Sequence, residues 1–156
     1  RPYGLPALPL SPDPEADPVS MSVHLPWNAL IGEGLLAYGF RREAALLTAR
    51  LMNGVIQSLK QSRAFYQHYH AEKGTGIGER NSLNGFAPVG LFMQTLGVRI
   101  FSRERIRLEG INPFPWPVTI KYRGLMILRG LEETVVTFPN GQSVTITDAQ
   151  PFIVSH

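Results

Sequence analysis

The stretch from Phe65 to Phe86, FYQHYHAEKGTGIGERNSLNGF, concentrates the side chains of this sequence that could do chemistry. It combines four aromatics, two histidines, a Gly-x-Gly-x-Gly run and several amides and carboxylates. A segment that only joins two helices is usually short and polar. This one offers ring faces for sugar C–H groups and donors and acceptors for hydroxyls, as a polyhydroxylated ligand requires. Tyr66, Gln67, His68, Tyr69 and His70 are therefore candidate substrate contacts. Upstream, Trp27 could serve as a stacking platform for a pyranose ring, with Asn28 beside it as a further contact; Trp27 could equally be an apolar staple before a helix.

Glu72 reads most simply as a solvated loop carboxylate beside Lys73. His68, His70 and Glu72 alternate, which puts them on one side of an extended strand. Lys73 next to them and the lack of a further clear ligand argue against a metal, so no metal or cofactor is expected. Gly74, Gly76 and Gly78 are not a phosphate loop, because no strand precedes them and no Gly-Lys-Ser/Thr follows; they suit a tight turn near a ligand. Trp116, within Asn112–Pro117, reads as a wedge between domains. Arg103, Arg105 and Arg107 share one face of any strand they form, beside Arg99 and Phe101; such a row is usually solvated and could meet acidic partners.

The elements that position these residues follow from composition and period. The chain has 156 residues, 44% apolar and 17% charged, enough for one ordinary core or a small core with an appendage. A net charge of +3 comes from scattered basic residues and points to no nucleic acid. With no cysteine, a disulfide framework and a Cys-type zinc site are excluded. No apolar run approaches the roughly 20 residues that cross a bilayer, so no membrane partner is expected. An opening on Arg1 rather than Met reads as a piece of something longer, in any compartment.

Three zones result. Residues 1–26 hold about half of the chain's 13 prolines and read as an extended arm. Tyr3, Leu5, Leu8, Leu10, Met21, Val23 and Leu25 would lay that arm over apolar surface. Residues 27–97 read as helical: a short helix capped by Asn28 and ending at Gly39, a long helix over Arg41–Ser62, and a third over Ala87–Leu96. Ala45, Ala49, Met52, Ile56 and Leu59 form the expected buried stripe of the long helix, widened by Leu46, Leu51 and Val55, and Gly32, Gly34 and Gly54 suggest close helix approach or an active-site wall. In residues 98–156 the period changes to two, with segments such as RIRLEG, PVTIKYR and LMILRG. Pro139-Asn140-Gly141 marks a hairpin there. The fold class is α+β, helices first and a small antiparallel sheet or half-sandwich after.

An ordered set of motifs resembles a known family. It runs from Tyr3-Gly-Leu-Pro6 through Pro26-Trp27-Asn28, GLLAYGF and a long amphipathic helix to Tyr66-x-x-Tyr69-x-x-x-x-Gly74-x-Gly76 and a last helix. Over residues 1–97 this is similar to the C-terminal end of the catalytic domain in (α/α)6-barrel glycosidases. The match is to glycoside hydrolase family 63 and relatives, the processing α-glucosidases and mannosylglycerate-type hydrolases. The resemblance implies a helical segment of an (α/α)6 toroid, completed by upstream sequence or another chain, and a carbohydrate ligand. It also implies inverting hydrolysis by two carboxylates roughly 6.5–9.5 Å apart. The family's base is a glutamate in a Glu-Asn-Tyr-type loop, and that position carries Gln67, a neutral amide that cannot take a proton from water. The acid would lie upstream of Arg1. Two readings stay open: an α-glycosidase with Glu72 as a relocated base, or a non-catalytic sugar-binding or structural module.

Overall fold

The computed structural model describes residues 1–7 and 20–156, so Leu8 and Leu10 of the arm lie outside the described residues. The chain divides into two compact units, Arg1–Leu91 and Phe92–His156.

The first unit opens with β1 (Ser22–Val23) and continues into α1 (Leu25–Ala37) and α2 (Arg41–Ser62). Phe65–Phe86 is not a loop. It folds as β2 (Tyr66–His70) and β3 (Gly76–Arg80), followed by a single 3-10 turn at Leu83–Gly85. With β1 these make a three-stranded antiparallel sheet in the order β1-β2-β3, packed on the helices. The (α/α)6 toroid segment expected from the resemblance is therefore corrected. Among the described residues there are three helices and ten strands in three antiparallel sheets, a small mixed α+β fold. The physical reason is pairing across the chain: Ser22 and Val23 bond to His70 and Tyr69 and draw YQHYH into a strand, and Gly74, at φ +65°, makes the turn that returns it.

The core of this unit joins Met21, Val23 and Leu25 to Leu51 and Val55 of α2, Tyr69 of β2, Ala71 just after it, and Leu91. The helices meet it differently from the expected pattern. Asn28 is inside α1, not before it; the helix starts one turn earlier because Pro26 sits in its first turn, where a missing N–H costs nothing. In α2 the buried face runs through Ala44, Ala45, Leu47, Thr48, Leu51, Gly54, Val55 and Ser58; it keeps the expected Ala45, Leu51 and Val55 and leaves Leu46 and Ile56 exposed. Two polar residues sit on that face because each donates a hydrogen bond, Thr48 to the Ala44 carbonyl and Ser58 to that of Ala64. Gly32 has a packing reason, since an added Cβ would come within 2.5 Å of Leu91. Gly34 has none: a Cβ there meets nothing within 4 Å, so α1 bears its helix penalty of about 1 kcal/mol without a packing return. The outward side of α1 stays apolar, with Leu30, Ile31 and Tyr38 exposed.

The arm threads the same core. The Tyr3 N–H donates to the Ala71 carbonyl, and Ala7 to that of Ser22. Asn28 grips the Leu5 peptide from both sides, accepting its N–H at 2.9 Å and donating to its carbonyl at 3.0 Å.

In the second unit, α3 (Val89–Leu96), which crosses the boundary, leads into β4 (Val98–Ser102) and β5 (Arg105–Leu108). A four-stranded meander follows: β6 (Val118–Tyr122), β7 (Leu125–Arg129), β8 (Thr134–Thr137) and β9 (Ser143–Ile146). Last, β10 (Phe152–Ser155) returns to pair with β5. The Arg123-Gly124 turn has both residues at positive φ, +47° and +84°, the pairing that matches strand twist in a tight hairpin. Arg129, only 2% exposed, holds this unit together. Its guanidinium donates to the carbonyls of Leu96, Glu109 and Gly110 and to the Thr134 hydroxyl. Leu96 is the last residue of α3, so the cation also lies at the negative end of that helix.

Candidate functional site

The sheet of the first unit brings two of the sequence-predicted residues to one place through a third that the sequence reading missed. Ser22 pairs with His70 and Val23 with Tyr69. One further step along the chain sets the His24 ring beside His68, centroids 5.2 Å apart. His24 is also the N-cap of α1, and three residues on, Trp27 leans toward it at 6.3 Å. Trp27 is 65% exposed, a free indole at the edge of the pair. No local signal marked His24; its place beside His68 follows from the pairing of β1 with β2.

Both histidines bury Nδ1 with no hydrogen-bond partner among the described residues. Unsatisfied buried polar atoms are uncommon and call for an explanation, such as a ligand group or water. Burial, and then the neighbouring His24, hold the His68 imidazole below its ordinary value of 6.5. A neutral imidazole carries one donor and one acceptor, which is what a sugar hydroxyl needs.

The other predicted contacts face elsewhere. Asn28 is fully engaged with the arm and the His24 carbonyl. Gln67 sits at an irregularity in the β2–β3 pairing, and its Oε1 lies over Gly78, within 2.8 Å of where a Cβ would be. The Tyr66 ring packs on Gly76, and its backbone is covered by Gly85. Tyr69 is buried; its hydroxyl donates to the Gly85 carbonyl at 2.7 Å and accepts the Tyr66 N–H at 3.3 Å. His70 Nδ1 accepts the N–H groups of Glu72 and Lys73, closing the hairpin turn. Glu72 is held by Arg1 at 2.6 Å.

In the second unit a small cleft of about 10 Å³ is lined by Asn112, Arg129, Glu132, Glu133, Thr134 and Asp148, among others. Its cation is already occupied by carbonyls. Trp116 stacks on Phe114 at 5.6 Å and 23°. Among the described residues, no group of three or more His, Cys, Asp or Glu could hold a metal ion, and no helix is long and apolar enough to cross a membrane.

The histidines give the first unit a pH dependence with a definite sign. Burial and Lys73 also lower His70, against the opposing pull of Glu72. Below 6.5 the unfolded chain therefore takes up protons at His68 and His70 before the folded chain does. Stability present above 6.5 is expected to be lost as the pH falls through the depressed folded values. Urea midpoints measured between pH 7.5 and 5 should fall, and fall less in His68→Gln; a flat profile would contradict the burial of these rings.

Compared with the models of known protein families, with curated proteins and with solved structures, the chain finds no match.

Proposed function

We propose that this chain is a carbohydrate-binding unit without catalysis of its own, with Trp27, His24 and His68 as the ligand-contacting set. The observation that carries this reading is an exposed indole beside two imidazoles whose buried Nδ1 atoms have no partner among the described residues. A pyranose offers the matching chemistry, an apolar C–H face for the indole and hydroxyls for the imidazoles. The two positions considered for the base are otherwise engaged. Gln67 is neutral and packed on Gly78, and the Glu72 carboxylate is paired with Arg1. Catalysis as part of an inverting α-glycosidase, with Glu72 as base, is the second reading; it draws on the family resemblance of residues 1–97.

The test is calorimetric titration with neutral gluco- and manno-configured oligosaccharides, run beside a hydrolysis assay. Trp27→Ala is expected to weaken binding about tenfold, the upper end of an aromatic contact of about 0.5–1.5 kcal/mol. His68→Ala should weaken it too, with no sugar released in either case. Unchanged affinity in Trp27→Ala would remove the site. Hydrolysis abolished by Glu72→Gln would establish the enzyme reading instead.

A further inference from the structure

On the outward face of the β4–β5–β10 sheet, two guanidiniums converge on one aromatic ring. Arg99 and Arg105 each lie over Phe101, 5.2 and 5.5 Å from its centroid. Phe101 is 48% exposed and falls where the β4–β5 register shifts, between Ile100 and Ser102. Such a bulge re-aims the side chain at its tip, here into the gap between the two arginines.

The charges on this face are poorly balanced. Arg99 lies directly opposite Arg107 across the strands, a like-charge pairing that disfavours the sheet. Arg107 is neutralised by Glu109 at 3.0 Å, and Arg103 by Glu104 at 3.2 Å. Arg99 and Arg105 have no carboxylate among the described residues; their only partner is the ring. Ile153, 50% exposed, pairs with Arg107 and extends the face with apolar surface. The result is two planar forks, held in place by stacking and open to an anion. Arginine recognises carboxylate, sulfate and phosphate through paired N–H groups, and a fork already fixed loses less freedom on binding.

We propose that Arg99 and Arg105, organised by Phe101, bind the oxoanion groups of an acidic polysaccharide, carboxylated or sulfated. The choice of a polysaccharide rests on the carbohydrate reading above. Single-stranded nucleic acid fits less well, because its bases stack on open aromatic faces and the Phe101 ring is already taken by guanidiniums.

Binding of the full chain to polygalacturonate, dextran sulfate, neutral dextran oligosaccharides and an oligothymidylate tests this by fluorescence anisotropy at two salt concentrations. Either acidic polymer is expected to bind, more weakly at higher salt, and the tighter of the two identifies the oxoanion. Arg99→Ser with Arg105→Ser should weaken that binding at least tenfold, and Phe101→Leu about threefold. Arg50→Ser with Lys60→Ser, an equal charge change on exposed positions of α2, should leave it nearly unchanged. An equal loss in that control would mean diffuse attraction and overturn the proposal. So would failure of both acidic polymers to bind, or oligothymidylate binding as tightly through the same arginines. Binding of the neutral oligosaccharides, and its loss in Trp27→Ala alone, reports separately on the first site.

Discussion

Arg129→Met is expected to destabilise the second unit by about 3–5 kcal/mol, the cost of dismantling a buried, hydrogen-bonded charge site. Methionine fills similar volume but leaves the Leu96, Glu109 and Gly110 carbonyls and the Thr134 hydroxyl without their donor. Each buried acceptor left unpaired costs about 1–3 kcal/mol. Arg129→Lys should recover little, because a compact ammonium cannot reach acceptors spread across a planar fork. The chain has 2 tryptophans, Trp27 in the first unit and Trp116 in the second. In a Trp27→Phe background, the urea midpoint reported by Trp116 should fall by roughly 2 M, given a slope of about 1–3 kcal/mol per molar for small domains. An unmoved midpoint would mean that the carbonyls reach water when the guanidinium is removed.

Gly85→Ala is expected to cost about 3 kcal/mol, at the upper end of ordinary overpacking. The added Cβ would collide with the Tyr66 carbonyl oxygen and come within 2.8 and 2.9 Å of the Tyr66 carbonyl carbon and nitrogen. Backbone in the middle of a sheet cannot turn aside. Gly76→Ala makes the informative comparison, because its new Cβ would strike the Tyr66 side chain, Cγ included, rather than backbone, so relief asks the whole side chain to change rotamer while β2 stays in place. Gly85→Ala also pushes on the carbonyl that Tyr69 bonds. Since Tyr66 and His68 share β2, sugar affinity should fall along with stability. A variant as stable as Gly76→Ala would show that the 3-10 turn, not β2, gives way.

The limits of α2, Arg41–Ser62, were legible from its period, and the Pro139–Gly141 hairpin from its turn residues. Both are local signals. The buried face of α2 was legible in part: Ala45, Leu51 and Val55 followed from the apolar period, whereas Thr48, Gly54 and Ser58 are inward by virtue of Tyr3, Ala64 and the helix's own carbonyls. Likewise, the Phe65–Phe86 stretch read as a ligand loop because its aromatics and glycines suit either role. What makes it a sheet is pairing with Ser22 and Val23, more than 40 residues earlier. Trp27 and His68 were legible as candidates from residue type. That His24 would join them depended on strand register, which no single segment encodes.

The arm that Asn28 grips has a consequence for the order of events during synthesis. Tyr3 is made about 70 residues ahead of its partners: the carbonyl that takes its N–H belongs to Ala71, and the glycine under its ring is Gly74. At about 5–20 residues per second, translation needs several seconds to supply those partners. Until then Tyr3, Gly4 and Leu5 have no seat. Residues made ahead of the rest of this unit are thus among the last of it to be fixed, and the nascent chain must carry them unpaired while the hairpin that receives them is still being made.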